Sequence, residues 1–155
     1  MRKQLLTIAE SPLRRVEDDV SGLSKLISDN FEDAELRQSF FDLVLQITVE
    51  QPFKTPFVAA VVTVLNGLNR GEEAVRQILA LACTECEKCV AKGDWRAVKL
   101  LCKFLACLQG VLEGDGVWIL LNDLFDRAVD LQTASSEDVR ISAAKNEMHA
   151  LTCTA

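Results

Sequence analysis

The stretch Thr55–Leu68, TPFVAAVVTVLNGL, decides the fold class. Its density of valine suits a β-strand, whose pleated surface accommodates branched side chains. Length and punctuation argue the other way. The apolar run lasts about twelve residues without an internal turn, beyond the roughly four to eight of an ordinary strand. Thr55-Pro56 offers a cap followed by proline at the first helical position, and Asn69-Arg70-Gly71 turns the chain at the far end. The spacing therefore predicts a helix over 56–68.

The flanks repeat this pattern. Upstream, Asp33 opens a helix with Glu35 in its first turn, where the helix dipole favours negative charge. Leu36, Phe40, Leu43, Val44 and Ile47 form its main face, and Phe41, Leu45 and Val49 add a second. Coverage on two sides is expected, with Pro52 ending the helix. Before it, Val16, Val20, Leu23 and Ile27 make one apolar stripe on a helix over 12–29, opened by Ser11-Pro12. Residues 2–10 read as a short helix or a frayed end. Downstream, Glu72 and Glu73 open a helix that runs to about Lys92. Val75, Ile78, Leu79, Ala82, Cys83 and Cys86 line it, and Gly93 stops it. Asp94 caps the next helix, whose spine is Val98, Leu101, Leu105, Leu108 and Leu112. After the Gly114-Asp115-Gly116 break, a helix over 117–131 carries Val117, Leu120, Leu121, Leu124, Phe125 and Ala128. Ser135 and Asp138 make a weakened capping box, and residues 140–155 keep no clean stripe.

Links of roughly two to five residues make neighbouring helices antiparallel. The reading is an all-α chain of antiparallel helical hairpins, like those of a HEAT-like or armadillo-type repeat, an α-α superhelix. The sequence shows no strict repeat, so periodicity leaves a closed bundle open as well.

Composition excludes several classes. A chain of 155 residues is one domain or one slice of a repeat array. At 49% hydrophobic it can build a core, and with only three prolines it is not a turn-dense all-β protein. A net charge of -6 argues against a long basic groove and hence against direct nucleic-acid binding. No apolar run reaches the roughly eighteen residues a membrane span needs. The start, MRKQLLTIAESP, is broken by Thr7 and Glu10, so no signal peptide is expected. The six cysteines, 83, 86, 89, 102, 107 and 153, leave the first half bare. That is unlike a secreted disulfide scaffold and points to a reducing compartment, cytosol or nucleus.

The search for chemistry is mostly blank. Cys83-x-x-Cys86-x-x-Cys89 has metal-like spacing, but on a helix the three thiols fan across about 120° and cannot all face one ion. Packing as small apolar groups is the expectation, with Cys102 on the next helix able to face them. His149, the sole histidine, lies in the weakly patterned end and has no evident partner. No nucleophile-elbow, zinc-protease, phosphate-loop or dinucleotide motif occurs. No catalytic residue, cofactor or metal is assigned. The candidate interaction surface is Trp95, Arg96, Lys99, Lys103, Asp123, Asp126 and Asp130. Trp95 suits burial or an interface anchor. Arg96, Lys99 and Lys103 make a short positive strip for phosphates or an acidic partner, or else pair with carboxylates on an adjacent helix. Asp123, Asp126 and Asp130 make an acidic stripe, which suits solvent, a basic partner or a hard cation.

Two long stretches carry a resemblance. One is QLLTIAESPLRRVEDDVSGLSKLISDNFEDAELRQSFFDLVLQITVEQPFKTPFVAAVV, and the other is KGDWRAVKLLCKFLACLQGVLEGDGVWILLNDLFDRAVDLQTASSEDV. Together they cover roughly residues 4–139. They resemble the large subunit of the nuclear cap-binding complex in its fungal versions, with KTPFVAAVV, GDWRAVKLL and KFLACLQG as the most specific words. The resemblance implies the first of three helical-repeat domains similar to the middle domain of translation initiation factor 4G. It also implies a non-enzymatic scaffold in capped-mRNA splicing, export and decay. The implied partners are a cap-binding small subunit with an RNA-recognition-motif fold and RNA-processing and export proteins, with capped RNA reached only indirectly and no membrane. The implied place is the nucleus, with shuttling to the cytoplasm. Two departures stand out: only Met1-Arg2-Lys3 precedes the match where the family carries a basic leader, and from Arg140 onward RISAAKNEMHALTCTA follows no family pattern. An unrelated helical adaptor is the alternative reading, and a thiol or zinc protein a third.

Overall fold

The computed structural model describes residues 1–10 and 15–111, together with 118, 119, 122, 125, 126 and 129. Among the described residues every regular element is helical. The helices are α1 (Arg2–Leu6), α2 (Val16–Asp29), α3 (Ala34–Glu50), α4 (Thr55–Asn66), α5 (Gly71–Lys92) and α6 (Trp95–Cys107). Short 3-10 turns span Pro52–Lys54 and Gln109–Val111. The chain divides into two compact units, Met1–Glu85 and Cys86–Ala155. The HEAT-like or armadillo-type arrangement is narrower than this helical architecture.

In the first unit, α4 packs on α2 and α3, and α1 touches both of the latter. The valine-dense segment is helical because its branched side chains find a covered surface. Val58, Ala59, Val61, Val62 and Leu65 are all buried. A buried hydroxyl ties two of these helices: Ser24 Oγ lies 2.9 Å from the carbonyl oxygens of both Val20 and Val61. Of the two faces expected for α3, Phe40, Phe41, Leu43, Val44 and Ile47 are buried, whereas Leu36, Leu45 and Val49 are half-buried. Residues 2–10 are tied down: Leu5 and Ile8 are fully buried, and the Lys54 ammonium reaches the Leu6 carbonyl and Glu10.

Local signals fared unevenly. Asp33 caps α3, accepting from the Glu35 and Leu36 amides at 3.0 Å each. Thr55 is no cap. It is already helical and buried, because the 3-10 turn at Pro52 runs straight into α4 and gives the helix its start. The helix expected from residue 12 is described from Val16, and Ser11-Pro12 falls outside the described residues.

The turn into α5 is built on two unusual positions. Arg70 adopts φ 57°, a left-handed conformation that costs a non-glycine residue about 1–3 kcal/mol. Its guanidinium is held by Glu32 and by Glu73 at 2.8 Å, and lies 4.7 Å from the Phe31 ring centre. Arg37 covers the same ring at 5.0 Å. Gly71 follows, and a Cβ there would fall 1.8 Å from the Leu65 carbonyl oxygen. Only glycine lets the chain pass so close to the end of α4.

Candidate interaction surface

In the second unit the chain reverses through a Schellman motif. Gly93 takes φ 71°, its amide bonds the Val90 carbonyl at 3.0 Å, and the Asp94 amide bonds that of Cys89 at 2.9 Å. Asp94 then caps α6, accepting from the Ala97 amide at 3.1 Å. Two residues thus end one helix and start the next, as Gly93 and Asp94 promised.

The buried side of α6 holds Ala97, Val98, Leu101, Cys102, Phe104 and Leu105. At about 100° per residue, Arg96, Lys99 and Lys103 fall within a sector of about 60° on the opposite side. Arg96 and Lys103 are exposed, and Lys99 is half-buried. Among the described residues no carboxylate pairs with any of the three. The internal charge pairing that the sequence allowed is therefore not found there. Trp95 is half-buried at the head of the row, with Nε1 3.9 Å from where a Gly93 Cβ would sit.

The acidic stripe is only partly visible. Asp126 is helical and exposed, whereas Asp123 and Asp130 lie outside the described residues. Phe125 corrects the sequence reading. Its place in the apolar pattern predicts cover, yet it is 44% exposed. It shares an i, i+4, i+7, i+11 row with Trp118, Asn122 and Val129, all exposed, so it belongs to the outer face. His149 and Cys153 lie outside the described residues.

Cys86, Cys89 and Cys102 are buried as expected, and Cys83 is not. Its spacing puts Cys83 on the apolar stripe of α5, yet it is exposed. The buried row runs Val75, Ile78, Ala82, Cys86, Cys89, and Cys83 sits about 100° around from Ala82. Cys107 is exposed as well. Cys86 and Cys102 meet across the reversal. The Cys102 thiol donates to Cys86 and holds its pKa below the ordinary thiol value, against burial and the charge of Glu87, which raise it. Among the described residues no group of three or more His, Cys, Asp or Glu is arranged to hold a metal ion. No described helix is long and apolar enough to cross a membrane.

A groove of about 560 Å³ in the first unit is lined by Arg2, Glu35, Gln38, Ser39 and Asp42 among others. Gln38 donates to Asp42 at 2.8 Å within it. Among the described residues Ser39 is the sole hydroxyl side chain of its lining, and no histidine or cysteine accompanies it. Sequence reasoning also missed Phe53, which is 92% exposed on the 3-10 turn. Its place in a short turn between Pro52 and the start of α4 was the available signal; Pro52 and Lys54 beside it are half-buried.

No protein-family profile matches the chain, and no solved structure matches it at a significant level. Among curated proteins it is similar to the nuclear cap-binding protein complex subunit 1 of Eremothecium gossypii. Identity is 25% over 152 residues, taking in 90% of this chain and 18% of that protein. The chain therefore spans less than a fifth of the length of the relative it matches.

Proposed function

We propose that this chain is a scaffold segment of the cap-binding-complex large-subunit type, working by protein contact rather than by catalysis. The similarity to the Eremothecium subunit across nearly the whole chain carries this reading. The helical architecture and the outward cationic row on α6 are consistent with it. The segment is the helical-repeat domain of residues 4–139, in HEAT-like or armadillo-type form, with 140–155 as a divergent tail. It serves capped-mRNA splicing, export and decay in the nucleus, with shuttling to the cytoplasm. Its partners are a cap-binding small subunit with an RNA-recognition-motif fold and RNA-processing and export proteins.

Capped RNA is reached through that small subunit. A cap site stacks a purine between flat side chains. The chain has no tyrosine, Trp95 is half-buried, and Trp118 is exposed and lies outside α6. Affinity purification of the tagged chain from its native cells should enrich cap-binding-complex components, and the tagged chain should be nuclear. Recovery without them, from a non-nuclear chain, would favour an unrelated adaptor. A fluorescent capped oligonucleotide should not saturate the purified chain below about 1 μM at about 0.15 M salt. Tighter binding that an uncapped oligonucleotide fails to match would place the cap site here.

A further inference from the structure

We propose that the outer face of α6 docks an acidic helical segment of a partner protein, its carboxylates meeting Arg96, Lys99 and Lys103. This rests on the protein-contact reading above and names the chemistry of the contact. The three cations lie at i, i+3 and i+7 on one rigid helix, spanning about 10 Å along its axis. Among the described residues none supplies a neutralising carboxylate, although the chain as a whole carries 23 acidic residues. Like charges on neighbouring turns repel, so an external row of anions is attracted where the described residues supply none.

The rest of the face narrows the occupant. Beyond Lys103 it continues as Ala106 and Cys107, both small and exposed, and Gly110 follows in the 3-10 turn, also exposed. A Cβ on Gly110 would meet nothing within 4 Å. A partner helix can therefore lie close along the second half while its carboxylates engage the first. Glutamates or aspartates at i, i+3 and i+7 of such a helix repeat at the same pitch as the cations. Nucleic acid fits less well. Three cations neutralise about three phosphates, where nucleic-acid binders commonly use about six to ten. The net charge of -6 also opposes a long polyanion.

The test uses the full chain and three fluorescein-labelled probes. One is an alanine-based peptide with glutamates at i, i+3 and i+7, the second has the same composition with its glutamates consecutive, and the third is an oligouridylate of equal charge. By anisotropy the spaced peptide should bind at least about tenfold more tightly than the other two. It should also slow alkylation of Cys107, read by mass spectrometry, while leaving the exposed Cys83 unaffected. The triple variant R96Q/K99Q/K103Q, which keeps most of each stem, should lose that preference, and K99R/K103R should retain it. Equal binding of the two peptides, tighter binding of the oligouridylate, or unprotected Cys107 would overturn the proposal. Recovery of cap-binding components without spaced-peptide binding would overturn this surface alone. The converse would uphold the surface and overturn the assignment to that complex.

Discussion

Gly71→Ala separates the packing argument from helix propensity, because the two predict opposite signs. Gly71 opens α5, where alanine would ordinarily stabilise by about 0.5–1 kcal/mol through lost chain entropy and better propensity. The structure forbids that gain. The added methyl would lie 1.8 Å from the Leu65 carbonyl oxygen, 2.7 Å from its carbonyl carbon and 2.9 Å from the Asn66 carbonyl carbon. All three are backbone atoms at the end of α4, so no side-chain rotation relieves the overlap. Either the last turn of α4 or the start of α5 must move by about 1 Å. Overpacking costs about 1–3 kcal/mol when side chains can adjust, and backbone displacement belongs at or above the top of that range. With the propensity gain subtracted, a net loss of about 2 kcal/mol is expected. For a chain of this size that lowers the melting temperature by about 4–8 °C. Urea unfolding followed by far-ultraviolet circular dichroism would measure it, with Gly22→Ala as the control. No atom lies within 4 Å of a Cβ at Gly22, inside α2, so alanine should stabilise there. A Gly71→Ala protein as stable as the parent would refute the close approach of the α4–α5 turn.

Two further outcomes follow from the second unit. Leu105→Ala, on the buried face of α6, should cost about 2–5 kcal/mol through the cavity it leaves, and a loss below about 1 kcal/mol in denaturant unfolding would mean that this face is peripheral. Cys102→Ala should raise the Cys86 pKa, read from thiolate ultraviolet absorbance against pH, because the donor that favours the thiolate is gone. The sign for stability follows. With Cys86 depressed in the folded state, its contribution is present above the unfolded thiol pKa and is lost as pH falls through the lower folded value. Beyond a pH-independent loss of packing at this buried site, the variant should therefore lose further stability only on the alkaline side, and an unchanged titration would show that the two thiols do not interact.

The sequence by itself determined the helices. Periodicity and caps are local, and local hydrogen bonding decides them. Asp33 and Asp94 bind amides two or three residues on, and Gly93 closes its motif on the preceding turn, so each was legible from its neighbours. Even the valine-rich segment was settled by length and punctuation. Tertiary structure decided what each face meets, which depends on residues far along the chain. Thr55 looks like a cap until the 3-10 turn before it is seen to run into α4. Gly71 reads as an ordinary turn glycine until the Leu65 carbonyl is found against it. Cys83 and Phe125 sit at plausible stripe positions, yet both are exposed. The strip Arg96, Lys99 and Lys103 was visible as spacing, but whether acidic residues answered it could not be read there. Ion pairing depends on which side chains share a surface, and a linear pattern does not carry that information.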